Sequence, residues 1–248
     1  PFELGVINGK LTSDLIYIQE EAFVNRIYEL VPSKSYLNVL KYFIAFFNRN
    51  MDEYVPQEYL QEIYGVSFSA DDKYDFIGYK YDRILNYHSA HDIGHALQNM
   101  NLVGCTAFAL WDEKSAKGEL LIGRNFDFHA GEDFNENKIL AFVEPESGNP
   151  FMFVTWGGMI GVVSGMNIQG LTITLNAAKS EIPYSAAMPV SLLAREILQY
   201  ASTIDEAYQI AARQNTFVSE SFLIGSGNEK MAVVLEKTPD TTILYEPN

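Results

Sequence analysis

The chain's single cysteine, Cys105, follows a glycine and opens a run of alternating residues. Gly104-Cys105-Thr106 leads into the apolar residues 107–111. A polar turn over 112–118 follows, then a second apolar run that ends in Gly123-Arg124-Asn125-Phe126-Asp127. Two alternating runs joined by a short polar turn predict a β-hairpin. Its return strand brings a cation, Arg124, and a carboxylate, Asp127, back to the level of the thiol. An isolated cysteine is more often a small buried hydrophobe than a nucleophile. One that shares a sheet end with an arginine and an aspartate has the surroundings of a reactive thiolate.

Position along the chain strengthens the chemical reading. Residues 1–103 carry helical periodicity and the period turns alternating at Gly104, so Cys105 is the first side chain of the sheet region. Cutting the Gly104–Cys105 bond would give the thiol its own α-amine, ordinary pKa about 8, as a base. Glycine leaves the scissile carbonyl unhindered and permits backbone angles closed to other residues. Strain at the junction is therefore expected to assist attack by the sulfur.

The positioning elements follow from the patterning. Residues 4–7 read as a short strand with a turn at Asn8-Gly9. Helices are predicted over 13–30, 36–47, 56–64 (closed by Gly65), 71–87 and 93–100. Strands are predicted over 105–111, 119–126, 138–143, 151–156, 160–166 and 171–175. Helices over 188–200 and 204–214 come next, the second capped by Thr203 or Ser202, with Glu206 three residues after Thr203 as in a capping box. Strands return at 221–224, 231–235 and 241–245. Helices, antiparallel strands, two helices and more strands make an α+β chain of sheets covered by helices.

Other candidate motifs have plainer readings. His88, His91 and His95 would share one helix face and suggest a metal-dependent hydrolase. Gly94 weakens that helix and no further ligand completes the set, so packing ahead of the junction is the expected role, and no metal is assigned. Gly225-Ser226-Gly227 lacks the G-x-S-x-G pattern and reads as a hairpin turn. Glu132, Asp133 and Glu136 read as a solvated acidic loop instead of calcium ligands. Trp111, Phe126, Phe128, Phe134 and Trp156 read as core before acyl pocket.

At 48% hydrophobic and 20% charged residues the composition is that of a folded globular chain. A net charge of −15 argues against a nucleic-acid partner. No stretch is long and apolar enough to predict a membrane span. The start at Pro1 is compatible with loss of a leader, and so with a secreted or periplasmic location. A strand at 241–245 so near Asn248 predicts further residues beyond it.

Gly104-Cys105-Thr106 with Gly123-Arg124-Asn125-Phe126-Asp127 resembles the N-terminal-nucleophile (Ntn) hydrolases of the choloylglycine hydrolase and isopenicillin-N acyltransferase superfamily. Gly165-Met166-Asn167 through Gly170-Leu171 to Asn176 is similar to that family's strand-turn-strand, and residues 189–207 to its helical layer. The resemblance covers about residues 104–237. It implies a four-layer αββα sandwich over 105–248, incomplete at its C-terminal end, preceded by a mainly helical pro-segment over 1–104 like that of the acyltransferase branch.

The resemblance also implies the roles. Cys105 is the autocatalytic and catalytic nucleophile, cut free from Gly104, with its amine as general base. Arg124 is the cation beside the thiol, Asp127 holds the amine, and Asn176 donates to the oxyanion, which is worth roughly 3 kcal/mol. Thr106 would help to position the thiol. The implied activity is hydrolysis of a small-molecule N-acyl amide through a thioester without a cofactor. Transfer of the acyl group to an amine, or a catalytically inactive binding protein, are the alternatives. The pro-segment would stay associated after cleavage, and a homo-oligomer is left open. The family's second active-site asparagine has no counterpart before Asn248. The longer spacing from cysteine to arginine argues against cholyl specificity.

Overall fold

Two glycines one helical turn apart, Gly5 and Gly9, decide the conformation of the N-terminus. The computed structural model, which describes residues 1–30, 49–92, 103–128, 132–178, 180 and 186–247, has a helix there, α1 (Phe2–Leu11), in place of the expected strand and turn. The next helices are α2 (Ser13–Leu30) and α3 (Gln57–Ser67). An added Cβ at Gly5 would overlap the Glu62 carbonyl of α3, and one at Gly65 the Phe2 carbonyl of α1. Backbone-to-backbone packing of this kind tolerates only glycine. It also carries α3 through Gly65, where the sequence predicted a stop. The helix expected over 71–87 is split into a 3₁₀ turn (Asp72–Tyr74) and α4 (Lys80–Tyr87), with Gly78 between them. The helices expected over 36–47 and 93–100 lie outside the described residues.

The hairpin forms as predicted. Strands β1 (Val103–Asp112) and β2 (Gly118–Phe128) pair antiparallel as a two-stranded sheet, with Cys105 opposite Phe126 and Gly104 opposite Asp127. A short helix, α5 (Glu132–Glu136), follows. The remaining strands are β3 (Ile139–Val143), β4 (Phe151–Thr155), β5 (Ser164–Asn167), β6 (Leu171–Ala177), β7 (Glu220–Ser226), β8 (Met231–Lys237) and β9 (Thr242–Tyr245). They form one seven-stranded antiparallel sheet in chain order. Helices α6 (Val190–Tyr200) and α7 (Ile204–Arg213) connect β6 to β7. The α7 cap is as read from sequence: Thr203 Oγ1 accepts from the Glu206 N–H at 3.2 Å. Gly225 and Ser226 end β7 at the β7–β8 turn.

The sheets pack face to face, since an added Cβ at Gly225 would run into Ile122 and Leu120 of β2. The other face of the large sheet is covered by α6, whose Leu198 lies against Gly165. Helix α6 is buried from Val190 to Gln199, polar residues included. Those polar groups find partners on the N-terminal helices: Arg195 pairs with Glu62, Ser191 donates to the His88 carbonyl, and Gln199 accepts from Tyr59. Ile16, Ile63, Val66 and Ile84 belong to the same continuous core as Ile160, Ile173 and Leu193. The helices ahead of Cys105 and the sheet region thus bury one another. Among the described residues no helix is long and apolar enough to cross a membrane.

Candidate active site

Alternation along the hairpin sorts its side chains. Cys105 and Ala107 on β1, and Arg124 and Phe126 on β2, are partly buried. Thr106, Asn125 and Asp127 are exposed on the other face. The structure therefore brings Cys105 and Arg124 together: Arg124 Nη2 lies 3.7 Å from Cys105 Sγ. The guanidinium is fixed by two neutral acceptors of the facing sheet, Ser164 Oγ at 2.8 Å through Nη1 and the Leu175 carbonyl at 2.6 Å through Nη2. It also lies over the Phe126 ring, 4.3 Å from its centroid, a cation–π contact. Burial lowers the Arg124 guanidinium below its usual value, while Cys105, Glu220 and Asp127 pull the other way.

Asp127 stands beside the Gly104–Cys105 peptide, on the opposite face from the thiol. It is opposite Gly104 in register, and its carboxylate accepts from Asn125 Nδ2 at 2.8 Å. Asn176 is on β6, next to the Leu175 whose carbonyl holds Arg124. Its Nδ2 donates to the Thr174 carbonyl at 3.2 Å and to Thr174 Oγ1 at 3.1 Å. In this rotamer its N–H groups are turned back onto its own strand, and Oδ1 has no hydrogen-bond partner among the described residues. Donation to an oxyanion therefore requires Asn176 to change rotamer. Thr106 is exposed on the opposite face from the sulfur, so its side chain does not position the thiol.

One junction expectation is corrected. Gly104 is not among the residues with positive φ, and an added Cβ would meet nothing closer than the Asp127 Cβ at 3.8 Å. The Gly104–Cys105 peptide lies within a paired strand, so no glycine-only backbone angle stores strain there. The alternative reading of His88, His91 and His95 as a metal face is not supported at His88, because both of its ring nitrogens are spent on backbone. Nδ1 lies 2.8 Å from the Ile84 carbonyl, and Nε2 accepts from the Ile160 N–H at 2.9 Å. This fixes a neutral imidazole with Nδ1 protonated, and burial lowers its pKa to about 4. His95 lies outside the described residues. Among the described residues no group of three His, Cys, Asp or Glu side chains is arranged to hold a metal.

Several residues near the site carry no clear signal in the sequence. Ser164 is one serine in a strand. Glu220 is a lone acid heading an apolar run, fully buried at the start of β7. Burial raises its carboxyl well above the usual range, Asp92 adds to this, and Arg124 opposes it. Of the aromatics read as core, Phe134 and Trp156 stack at 4.3 Å, and Phe126 packs on Trp156 at 5.6 Å. That column ends under Arg124.

The family described as acyl-coenzyme A:6-aminopenicillanic acid acyl-transferase matches residues 111–248, more than half of the chain. The match begins after Cys105, so the thiol is singled out by the geometry above. An uncharacterised protein of Archaeoglobus fulgidus is 27% identical over 259 residues, covering 97% of this chain and 42% of that protein. Protein dcd1B of Dictyostelium discoideum is 22% identical over 202 residues, covering 79% and 37%. The chain thus spans about two-fifths of the length of these curated relatives. Among solved structures, a Caenorhabditis elegans ortholog of N-acylethanolamine-hydrolyzing acid amidase is similar with a TM-score of 0.46 and 21% identity, over 58% of this chain and 64% of that one. A mutant conjugated bile acid hydrolase from Clostridium perfringens gives 0.44 and 16%, over 58% and 51%.

Proposed function

The chain belongs to the acyl-coenzyme A:6-aminopenicillanic acid acyl-transferase family, and from that premise we propose that it is an autoprocessing Ntn amidohydrolase with Cys105 as its nucleophile. The observation that carries the reading is the Arg124 guanidinium 3.7 Å from the sulfur that directly follows Gly104. A buried cation at that distance stabilises a thiolate as it forms.

In activation, the Cys105 sulfur attacks the Gly104 carbonyl carbon. A C–S bond forms, the C–N bond breaks, and the nitrogen leaves as the free α-amine of Cys105. Water then opens the thioester and releases the Gly104 carboxylate. In turnover the amine takes the thiol proton, and the thiolate attacks the carbonyl of a linear N-acyl amide. The protonated amine then gives that proton to the departing nitrogen, and water, deprotonated by the amine, hydrolyses the acyl-thioester. Asp127, opposite Gly104, is assigned to hold the new amine. Asn176, after the rotamer change its present bonds require, is assigned to the oxyanion.

We read residues 1–104 as a pro-segment that stays bound after the cut, and 105–248 as the catalytic part of a four-layer αββα sandwich. The shared core and the Arg195–Glu62 pair support the first point, because separating the segments would expose both. The acyl-transferase description of the family favours a second reading, in which an amine replaces water at the thioester.

Intact-mass spectrometry tests activation: the wild type should yield two fragments meeting at 104/105, and Cys105→Ala a single chain. A wild type that stays whole under all conditions refutes self-processing. A panel of N-acyl amino acids, N-acylethanolamines and bile conjugates, with and without hydroxylamine, then separates hydrolysis from transfer by whether acid or hydroxamate forms.

A further inference from the structure

The His88-to-Asp92 stretch is a chemical motif that the proposed reaction leaves unused, and its two described histidines have different places. His88 is locked to backbone. His91 is buried, stacks against the Phe126 ring at 6.0 Å and 20°, and sets Nδ1 3.9 Å from Glu220 Oε2. Phe126 is the cross-strand partner of Cys105, and it is the ring over which Arg124 lies. Trp156 also packs on that ring. A side chain ahead of the scissile bond thus presses on the ring that limits where the cation can sit.

Resting on the reading of Cys105 as nucleophile, we propose that His91 is a positioning residue of the active site: stacked on Phe126 and set against Glu220, it keeps the Arg124 guanidinium against the Cys105 sulfur. The segment ahead of the cut is then a working part of the site and more than a cover for it. The physical reason is packing. Interiors are close-packed, so removing an imidazole leaves a gap into which the neighbouring ring relaxes. Arg124 reaches the sulfur at the long end of hydrogen-bond range, so a modest displacement or tilt of the guanidinium breaks the contact. Glu220 of β7 faces His91, whose sequence neighbour is Asp92; Glu220 interacts in turn with Asp92 and with Arg124 of β2, and Arg124 with Cys105 and Asp127.

With one cysteine in the chain, alkylation reads this site alone. The experiment follows iodoacetamide modification of Cys105 from about pH 5 to about pH 10, with mass spectrometry separating cut from uncut chains. His91→Ala should raise the pH midpoint, slowing alkylation near neutral pH about three- to tenfold, with the high-pH plateau at the wild-type rate. His91→Phe, which keeps a ring on Phe126, should restore the midpoint. His91→Leu fills the volume without a ring and should shift it in the same direction as Ala, which covers the case where the Ala variant does not fold. A wild-type midpoint in folded His91→Ala or His91→Leu, or equal slowing at every pH, overturns the proposal. A wild type that is never cut at 104/105 instead refutes self-processing, and the alkylation profiles still decide the role of His91.

Discussion

Two arginines, the buried Arg195 and the partly buried Arg124, are treated in opposite ways. Arg195 Nη2 and Nη1 meet Glu62 Oε2 and Oε1 at 2.6 and 3.0 Å, and Nη1 also donates to the Ile160 carbonyl at 3.2 Å. Burial alone would lower its guanidinium, but Glu62 outweighs this and holds it above the usual value. Arg124 hydrogen-bonds only neutral oxygens and the thiol among the described residues, and burial wins. A cation whose charge is already matched by a carboxylate has little left for a developing thiolate. Arg195 ties the N-terminal helices to the core, and Arg124, beside the sulfur, leaves its charge unmatched by any bonded carboxylate among the described residues. The glycines divide the same way: Gly5 is closed against the α3 backbone, while an added Cβ at Gly104 would meet the Asp127 Cβ at an ordinary contact distance of 3.8 Å.

The largest expected effect lies on the closed side. Arg195→Met strands the Glu62 carboxylate and should cost about 3–5 kcal/mol in urea unfolding. The double variant Arg195→Met/Glu62→Leu should recover most of that, and no recovery would mean the pair is not the main loss. His88 comes next. Its folded pKa of about 4 lies below the unfolded value of about 6.5. The unfolded chain therefore binds more protons between those values. The resulting stability is present above about pH 6.5, is lost as pH falls toward 4, and amounts to about 3 kcal/mol. Asp92 and Glu220, whose carboxyls burial raises, contribute with the opposite sign. The test is accordingly the difference between wild-type and His88→Gln stability-versus-pH curves, which should slope across that window. A flat difference removes His88 as the source.

Smaller effects sharpen the contrast. Gly5→Ala must push α1 off α3 and should cost about 1–3 kcal/mol. Arg124→Met should change stability by no more than about 1 kcal/mol yet slow cleavage at 104/105 at least about 100-fold. A large stability loss with normal cleavage would reverse the two arginines' roles. Gly104→Ala should leave stability within about 0.5 kcal/mol or raise it slightly, as read by thermal melting. A marked loss would show that the junction needs glycine for folding.

The hairpin is legible in the sequence because alternation and a polar turn are local signals, and those signals also place Arg124 and Phe126 on the thiol's side of the sheet. The α7 cap is legible for the same reason. The N-terminal helix is not. Gly5 and Gly9 look like turn residues until α3 supplies the backbone they pack against. Ser164 and Glu220 are illegible as site neighbours because each reaches Arg124 only across two packed sheets. Asn176 is legible in place through the family resemblance, but its present hydrogen bonds to Thr174 are not.

The amino-acid order by itself determines a lone thiol at the first residue of an alternating region, behind a glycine, with an arginine and an aspartate returning opposite it. Periodicity and turn chemistry act over a few residues and need no partner. Which arginine lies beside the sulfur without a bonded carboxylate among the described residues, which histidine is spent on backbone, and that His91 stacks on Phe126 are decided only by the tertiary structure. Burial, desolvation and ring packing depend on what the fold brings from far along the chain.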